Sequence, residues 1–585
     1  LETIATRFEH EGMEFLTITL PEFGKSFEQA LEEQQVTHNH FPSFGRSKKS
    51  VYLPVFLGGL LERVFNAFSG GLLVDPDIDA IIAIRQITLL FSKLEGECSD
   101  ARNLKAIEGY YQCEKEVAEF AYKENGLFTK SAFLSMRSRL FGDVLSPLND
   151  DVADRIAVNA EWRPRLIPKH GPGKTADRLF ANAKYDLREW TTRLERVFPF
   201  MDYVLPNARH QVLDTVNFLE PGEERPVRVT LVPKTPKSPR IIAIEPTCMQ
   251  FMQQAVAKNL VRYLEDPRSF CSGFLGFLDQ VPNQHMAKVG SENCSLATID
   301  LSDASDRVSN LLVQDFFRPY TDLAEGIQAC RSLKADVFGD VVTLSKFASM
   351  GSALCFPVEA MVFLTAVFVG IQSQHSRRLT DSEILSLKGK VRVYGDDIVV
   401  PSDYVHSVLD SLAAYGMKVN FRKSFWNGNF RESCGKDYFR GVDVTPVKLR
   451  KEFPSALSNV ASVISAVETR NQFYLAGYWR TAGFFDDNVG VKILRHFPIV
   501  EDSSQILGRA SCFQPMAEAV HKDLQVPLVK GWIKVAKSPA SPLDDIGALQ
   551  KFFLNGAFEP LEEGHLERYG RPDAVSIKLG LAQPY

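Results

Sequence analysis

Two carboxylates stand side by side in Val391-Arg392-Val393-Tyr394-Gly395-Asp396-Asp397-Ile398-Val399-Val400. Val391 and Val393 alternate with Arg392 and Tyr394, the period of a half-buried strand, and Ile398 to Val400 is a second β-branched run. Gly395-Asp396 between them predicts a tight hairpin turn, because glycine accepts positive φ and Asp tolerates it. Like charges about 4 Å apart repel by roughly 4 kcal/mol at an effective dielectric near 20. Folding alone gives no reason to set them at a hairpin tip between apolar strands; a bound divalent cation does. An isolated Gly-Asp-Asp also occurs by chance as an exposed acidic turn, so its company decides the reading.

That company lies upstream. The run Ala297-Thr298-Ile299 ends in Asp300, and Asp303 and Asp306 follow. An acid at a strand's end, beside the hairpin, completes a three-carboxylate set of Asp300, Asp396 and Asp397. Hard Mg²⁺ or Mn²⁺ takes such oxygen ligands. Two such ions serve phosphoryl transfer by activating an attacking hydroxyl and stabilising the leaving oxygen. Asp303 reads as a turn or helix-cap residue.

The chain of 585 residues is too long for one ordinary domain. Its apolar fraction of 45% and charged fraction of 24% are those of a soluble globular protein. A net charge of −5 argues against a general nucleic-acid coat but leaves room for a local basic channel. The nine cysteines include no Cys-x-x-Cys pair, and read as reduced thiols without zinc. No secretory signal opens the chain, which begins at Leu1, compatible with a preceding segment. Phe356 to Ile371 is short for a membrane span and carries Glu359, so a buried helix is expected and no membrane partner.

The elements that must hold these acids follow in order. The N-terminal third reads as mainly helical. Asp75-Pro76 predicts a helix start, with Ile78, Ile81, Ile82, Leu89, Leu90 and Leu94 as its core face, and a second helix is expected over Leu104 to Lys123. Arg46-Ser47-Lys48-Lys49 is a solvated loop or an RNA contact. His170-Gly171-Pro172-Gly173-Lys174-Thr175 fails the phosphate-loop pattern, because Pro168 stands where a glycine is required. Arg163, Arg165, Lys169, Lys174 and Arg178 around it suit either RNA or solvent. Arg228 to Pro246 reads strand, basic Pro-rich turn, strand, with Lys234, Lys237 and Arg240 projecting toward a triphosphate or a nucleic-acid backbone. Ser349-Met350-Gly351-Ser352 enters the apolar helix as a loop able to approach a sugar or base. A helix to Tyr415 then leads to Arg422-Lys423, and to an aromatic and basic segment from Phe430.

The order of these blocks resembles the motifs of viral RNA-dependent RNA polymerases, and most closely the replicase catalytic subunits of levivirus-type single-stranded RNA bacteriophages. The carrying segments are Pro233-Lys234 to Glu245-Pro246, Thr298-Ile299-Asp300-Leu301-Ser302 with Ala304-Ser305-Asp306, Ser349-Met350-Gly351, Tyr394-Gly395-Asp396-Asp397-Ile398, and Phe430-Arg431-Glu432-Ser433-Cys434-Gly435-Lys436 with Gly441 to Pro446. They cover about residues 225 to 446.

The resemblance implies an α+β right-hand polymerase with fingers, palm and thumb, its antiparallel palm sheet flanked by helices. Residues 1–220 would be a mainly helical region contributing to fingers and thumb bridging. Residues 221–290 would be fingers with the basic NTP-binding turn, 291–446 the palm with a fingers-contacting segment, and 447–585 the thumb and C-terminal region. It implies template-directed transfer of NMP from NTP to an RNA 3′ end with two Mg²⁺ ions, or Mn²⁺. Asp300, Asp396 and Asp397 then fall on the metal and catalytic positions, and Lys423, or Arg422 beside it, on the lysine that protonates pyrophosphate. Lys234, Lys237 and Arg240 fall on the triphosphate-holding motif, Asp306 on the ribose 2′-OH acid, and Ser349 and Gly351 on the nucleotide-binding loop. The resemblance also implies host translation elongation factors and a ribosomal RNA-binding protein as partners, in the cytoplasm of an infected bacterium.

One departure stands out. Many viral polymerases carry Thr and Asn four and eight residues after the glycine of the Ser-Gly block; here those positions are Cys355 and Glu359. Two competing readings are a reverse transcriptase and a catalytically idle RNA-binding protein on the same fold. Ser305 and Asp306, where a reverse transcriptase usually has an aromatic steric gate, oppose the first; the full acid set and basic turn oppose the second.

Overall fold

The alternation around Asp396 folds as a hairpin. In the computed structural model, which describes residues 1–46, 51–158, 161–171, 173–205, 213–375, 377–537 and 574–585, strands Arg392–Tyr394 and Asp397–Pro401 pair antiparallel. Tyr394 sits opposite Asp397, so Gly395-Asp396 is a two-residue turn. Leu296–Ser302 pairs antiparallel with the second strand, with Asp300 directly opposite Asp397. Lys418–Val419 adds to its far side, opposite Ser302 and Leu301. The result is a four-stranded antiparallel sheet with both acid-bearing strands at its centre.

Ile398, Val399 and Val400 are all buried, which is why this run does not alternate. Ile398 and Val400 face the main core, while Val399 packs with Leu296 and with Met286 of helix Val281–Asn293. Against the main-core face lies helix Cys355–Gln374, in which every residue from Pro357 to Ile371 is buried. Among the described residues it alone is long and apolar enough to cross a membrane, and it is enclosed by protein. Helices Lys130–Ala153 and Val405–Ala414 pack around it. A fully buried Val, Leu or Phe contributes about 1.5–3 kcal/mol, so this helix is the apolar anchor of the sheet.

The basic segment is also a hairpin. Val227–Thr235 and Ser238–Ile244 pair antiparallel, with a register shift between Val232 and Thr235. This pair continues in parallel to Lys334–Val337, then to Asp340–Thr343. Phe430–Ser433, Lys436–Phe439 and Val442–Asp443 form a three-stranded sheet. Beyond it come helices Val460–Leu475 and Trp479–Phe485 and a long antiparallel pair, Pro527–Lys537 with Ala574–Ala582. The chain thus mixes helices and sheets. All nine cysteines are free.

The N-terminal third is mainly helical, as its periodicity predicts, but two boundaries move. The helix expected after Asp75-Pro76 spans Ile78–Leu89 and is capped by Asp77, whose carboxylate accepts the Ala80 N–H at 3.0 Å. Arg63 pairs with Asp77 and favours it over Asp75 as the cap. The helix expected over 104–123 spans Asp100–Ala118, where Asp100 meets the positive end of the helix dipole. The chain leaves the helix after Ala118, and Phe120 and Tyr122 pack edge to face at 5.3 Å against the main core. Ser47 to Lys49 of the basic run, and Pro172 of the rejected phosphate loop, lie outside the described residues.

A buried ion network fastens this helical region to the three-stranded sheet. Arg85 is fully buried; its Nη1 donates to Glu28 Oε1 at 2.6 Å, its Nη2 to Asp437, and its Nε to the Val444 carbonyl at 3.0 Å. Its guanidinium lies over the Phe430 ring, 4.8 Å from the centroid. Removing one partner of a buried pair strands the other charge, at about 3–5 kcal/mol. Arg85→Ala should therefore lower unfolding stability by about that amount, read as a shift of the urea midpoint at constant slope. A loss below about 1 kcal/mol, the range of exposed pairs, would contradict it.

Candidate active site

The turn between the two acid-bearing strands has φ +59 at Gly395 and no positive φ at Asp396, the pattern of a type II′ hairpin turn. A Cβ at Gly395 would also lie 2.5 Å from Phe356 Cε2. Glycine is therefore needed twice over, for the turn and for the approach of the helix behind it. This geometry holds Asp396 exposed at the tip, while the sheet register fixes Asp300 beside Asp397.

Asp300 is wrapped by the loop from Asn420 to Ser424. Asn420 donates from its backbone to the Asp300 carbonyl at 2.9 Å and from Nδ2 to Oδ2 at 2.8 Å. Ser424 Oγ accepts the Asp300 N–H at 3.0 Å, and Lys423 Nζ lies 3.4 Å from Oδ1. Asp397 is turned the other way: its Oδ2 accepts the N–H of Cys434 at 3.2 Å. Cys434 stands at the tip of the Phe430–Phe439 hairpin in a left-handed conformation, φ +48, which aims that N–H.

The three carboxylates expected as one set are thus adjacent but do not converge. Among the described residues no three Asp, Glu, His or Cys side chains stand close enough together to hold an ion. Asp300 and Asp396 face a common cleft, and Asp397 stands behind them. Burial, then the charge of Asp396, pushes the Asp300 carboxyl up to about 6, against the pull of Lys423. Burial, followed by Asp396 and Asp300, pushes Asp397 up to about 7. These are crowded oxygen donors with too little positive charge to offset them, and that donor chemistry fits a hard divalent cation.

The cleft has a volume of about 740 Å³, within the usual range of ligand sites. Asp300, Asp303, Asp306, Glu359 and Asp396 line it together with the cations Lys234, Arg240 and Lys423. Lys237 is not among the lining residues, because its ammonium pairs with Glu22 of helix Leu20–Glu32. Arg422 lies 3.5 Å from the same carboxylate, so of the two adjacent cations it is Lys423 that turns to Asp300.

Asp306 lies in the single helical turn Ala304–Arg307, whose N-cap position is Asp303. The next helix is capped by Ser309, so Asp306 caps neither. Its Oδ1 instead accepts from Ser349 Oγ at 2.7 Å and Lys346 Nζ at 3.0 Å. Gly351 has φ +140, and a Cβ there would sit 1.9 Å from the Ala243 carbonyl oxygen, so this loop lies tightly on the basic hairpin. Glu359 lines the cleft with Cys355 Sγ 3.7 Å from its Oε2; burial, with Asp396 second, pushes its carboxyl up to about 8.

Several contributors carried no signal in the sequence. Asn420 acts on Asp300 from a loop with no distinguishing pattern, and the Cys434 N–H acts on Asp397 from a segment whose order is legible but whose contact is not. Lys93, from the N-terminal region, is brought down to about 8 by desolvation and by the charges of Lys234, Lys448 and Lys423. Lys346 sits three residues before Ser349, a spacing no motif marks.

The raised carboxyls make a stability prediction. A carboxyl whose folded pKa exceeds its unfolded value holds its proton more tightly when folded, so the fold loses stability as pH rises between the two values. For Asp300 and Asp397 that window runs from the ordinary value of 3.8 to about 6 and about 7. In divalent-free buffer, the double change Asp300→Asn, Asp397→Asn should raise Tm relative to the unmodified chain, and more at about pH 8 than at about pH 4. A Tm difference independent of pH would refute the crowding.

Comparison with known proteins bears on the same segment. Residues 219–474 match the family described as RNA replicase, beta-chain. The RNA-directed RNA polymerase beta chain of Enterobacteria phage fr is 36% identical over 230 residues, 39% of this chain and 39% of that protein. That of Escherichia phage MS2 is 37% identical over 223 residues, 38% and 37% of the two chains. The RNA-directed RNA polymerase subunit beta of Escherichia virus Qbeta is 36% identical over 230 residues, 39% and 36%. The chain thus spans about two fifths of the length of the curated relatives it matches. A solved structure titled "RdRp complex" aligns with 83% of this chain and 46% of its own at 11% identity and TM-score 0.47. Over residues 219–474, the levivirus-type resemblance read from the order of the motifs is borne out by this match to the RNA replicase beta-chain family.

Proposed function

We propose that this chain is an RNA-dependent RNA polymerase that transfers NMP from NTP to an RNA 3′ end under the direction of an RNA template. The observation that carries this reading is one register: Asp300 opposite Asp397, with Asp396 at the adjoining tip, in a cleft that Lys234, Arg240 and Lys423 also line. In the same reading the four-stranded sheet is the palm, within 291–446. The basic hairpin belongs to fingers at 221–290, the helical region 1–220 bridges fingers and thumb, and 447–585 is the thumb and C-terminal region. The names of the relatives support this reading for the matched segment.

Asp300 and Asp396 would hold divalent cations, two Mg²⁺ ions or Mn²⁺ in their place, with Asp397 as the acid behind them. Such ions, when bound, neutralise triphosphate charge and make an attacking hydroxyl more acidic. The chain's own residues do the rest. Arg240 and Lys234 receive the triphosphate; a guanidinium pairs with phosphate oxygens in a fork. Lys423 Nζ carries the proton that neutralises the departing pyrophosphate, and its tether to Asp300 keeps that ammonium beside the reacting phosphate. Asp306 and Ser349 meet the sugar. A site built to bond a hydroxyl rejects the analogue lacking it, which sets a ribonucleotide polymerase apart from the reverse transcriptase reading. RNA and NTPs are the partners this chemistry requires. By resemblance alone, host translation elongation factors and a ribosomal RNA-binding protein join them, in the cytoplasm of an infected bacterium.

The direct test is Mg²⁺-dependent incorporation of labelled UMP on poly(A), without primer, with dNTPs alongside. No incorporation would leave the idle RNA-binding reading. Asp396→Asn should reduce incorporation by roughly 10²-fold or more with no loss of thermal stability. Lys423→Leu should slow single-turnover incorporation by about 10²–10⁴-fold, and Arg422→Leu far less, since Arg422 faces Glu22. Arg240→Ala should raise the KM for NTP more than Lys237→Ala, whose cation is engaged with the same Glu22. The reverse order would withdraw the basic wall as the triphosphate site.

A further inference from the structure

Lys346 is 0% exposed, yet it carries an ammonium. Its Nζ lies 3.0 Å from Asp306 Oδ1, 3.3 Å from Glu114 Oε2 and 3.6 Å from the centroid of the Tyr110 ring. Glu114 and Tyr110 belong to helix Asp100–Ala118, far from the motif segments in sequence. The same helix contributes Ala106, Gly109, Tyr110 and Cys113 to the cleft.

The loop that carries Lys346 is fixed from two sides. Arg331, itself buried, donates to the carbonyls of Leu344 and Lys346 at 2.6 Å each and of Phe347 at 3.0 Å. Glu114 Oε1 accepts the backbone N–H groups of Ser345 and, at 3.3 Å, of Lys346. The backbone from which the Lys346 side chain departs is therefore fixed, and Glu114 and the Tyr110 ring hold its ammonium beside Asp306. At Asp306 the two donors, Lys346 and Ser349, both take Oδ1. Asp306 lines the cleft, and no donor among the described residues meets its Oδ2.

A buried ion pair is a poor source of stability compared with apolar residues of the same volume. What it does supply is orientation. With Oδ1 bonded twice, the Asp306 carboxylate is restrained from turning, and its second oxygen is left to a group bound in the cleft that Asp306 lines. An oxygen held this way accepts a hydroxyl proton without first losing rotamer freedom.

We propose that Lys346, anchored by Glu114 and Tyr110, is a positioning residue that orients Asp306 for ribose recognition. The N-terminal helical region thereby becomes part of the sugar-selecting site. This deepens the polymerase reading and rests on it.

The test measures kcat/KM for UTP and dUTP on poly(A) in the unmodified chain, Lys346→Met, Asp306→Ala and the double variant, with melting curves for each. Lys346→Met should lower the UTP-to-dUTP ratio roughly tenfold or more, by loss of UTP efficiency. The double variant should match Asp306→Ala alone, because a residue acting only through Asp306 has nothing further to lose. Lys346→Arg, which keeps the charge, should retain more of the ratio than Lys346→Met. Equal losses for both nucleotides, or effects that add in the double variant, would overturn the proposal and leave Lys346 a packing residue. If Lys346→Met does not fold, Glu114→Gln carries the same measurement: a reduced ratio supports the proposal and an unchanged ratio overturns it. An unmodified chain that incorporates neither nucleotide overturns the polymerase reading itself, and this proposal with it.

Discussion

Repulsion between carboxylates at one end of a sheet is the constraint the rest of this molecule answers to. Pairing Asp397 directly opposite Asp300, with Asp396 at the adjoining turn, puts three acids where backbone spacing allows no escape. Side chains turn apart as far as they can. Asp397 swings to the Cys434 N–H, Asp300 to Asn420 and Lys423, and Asp396 to solvent. What cannot be relieved shows as carboxyls displaced well above their ordinary range. Such a sheet end persists only if the strands are held by something stronger, and the apolar core that helix Cys355–Gln374 shares with Val393, Ile398 and Val400 supplies that.

The positive charge that faces these acids is distributed with similar economy. Glu22 engages Lys237 and Arg422 at the periphery, leaving Lys234, Arg240 and Lys423 to the cleft. Sorting cations in this way lowers their mutual repulsion while keeping a field across the opening. The N-terminal helices are therefore more than a support. Through Glu22, through the Glu28–Arg85–Asp437 network, and through Glu114 beside Lys346, they reach three sides of the acid-bearing segment.

The substitution of Glu for Asn at 359 has a local consequence. A carboxyl buried in the cleft lining, within reach of the Asp396 charge, is held up at about 8 by burial first and that charge second. A protonated acid presents one donor and one acceptor, much as an amide does. The departure from the wider viral pattern is thus smaller in hydrogen-bonding terms than in letters. Cys355, which points its thiol at Glu359, belongs to the same small cluster.

The sequence by itself determined the pieces whose physics is local. Alternation and a Gly-Asp turn specify the hairpin, β-branched runs specify the central strands, and an unbroken apolar stretch specifies the buried helix. Prolines and lysines in fixed order mark the basic hairpin. Those features depend on neighbours a few residues away, so they are legible in one dimension. Helix starts were less so: Asp75-Pro76 reads as the start, yet the cap is Asp77, which Arg63 folds back to meet. The tertiary structure alone decided which partners meet Asp300, Asp306 and Asp397, that Lys237 is engaged by Glu22, and that Lys423 rather than Arg422 reaches Asp300. It also decided that Lys346 meets Asp306 across a gap of forty residues. Each of these is a contact between segments far apart in the chain. Its existence depends on the direction of a side chain in three dimensions, which no spacing along the sequence encodes.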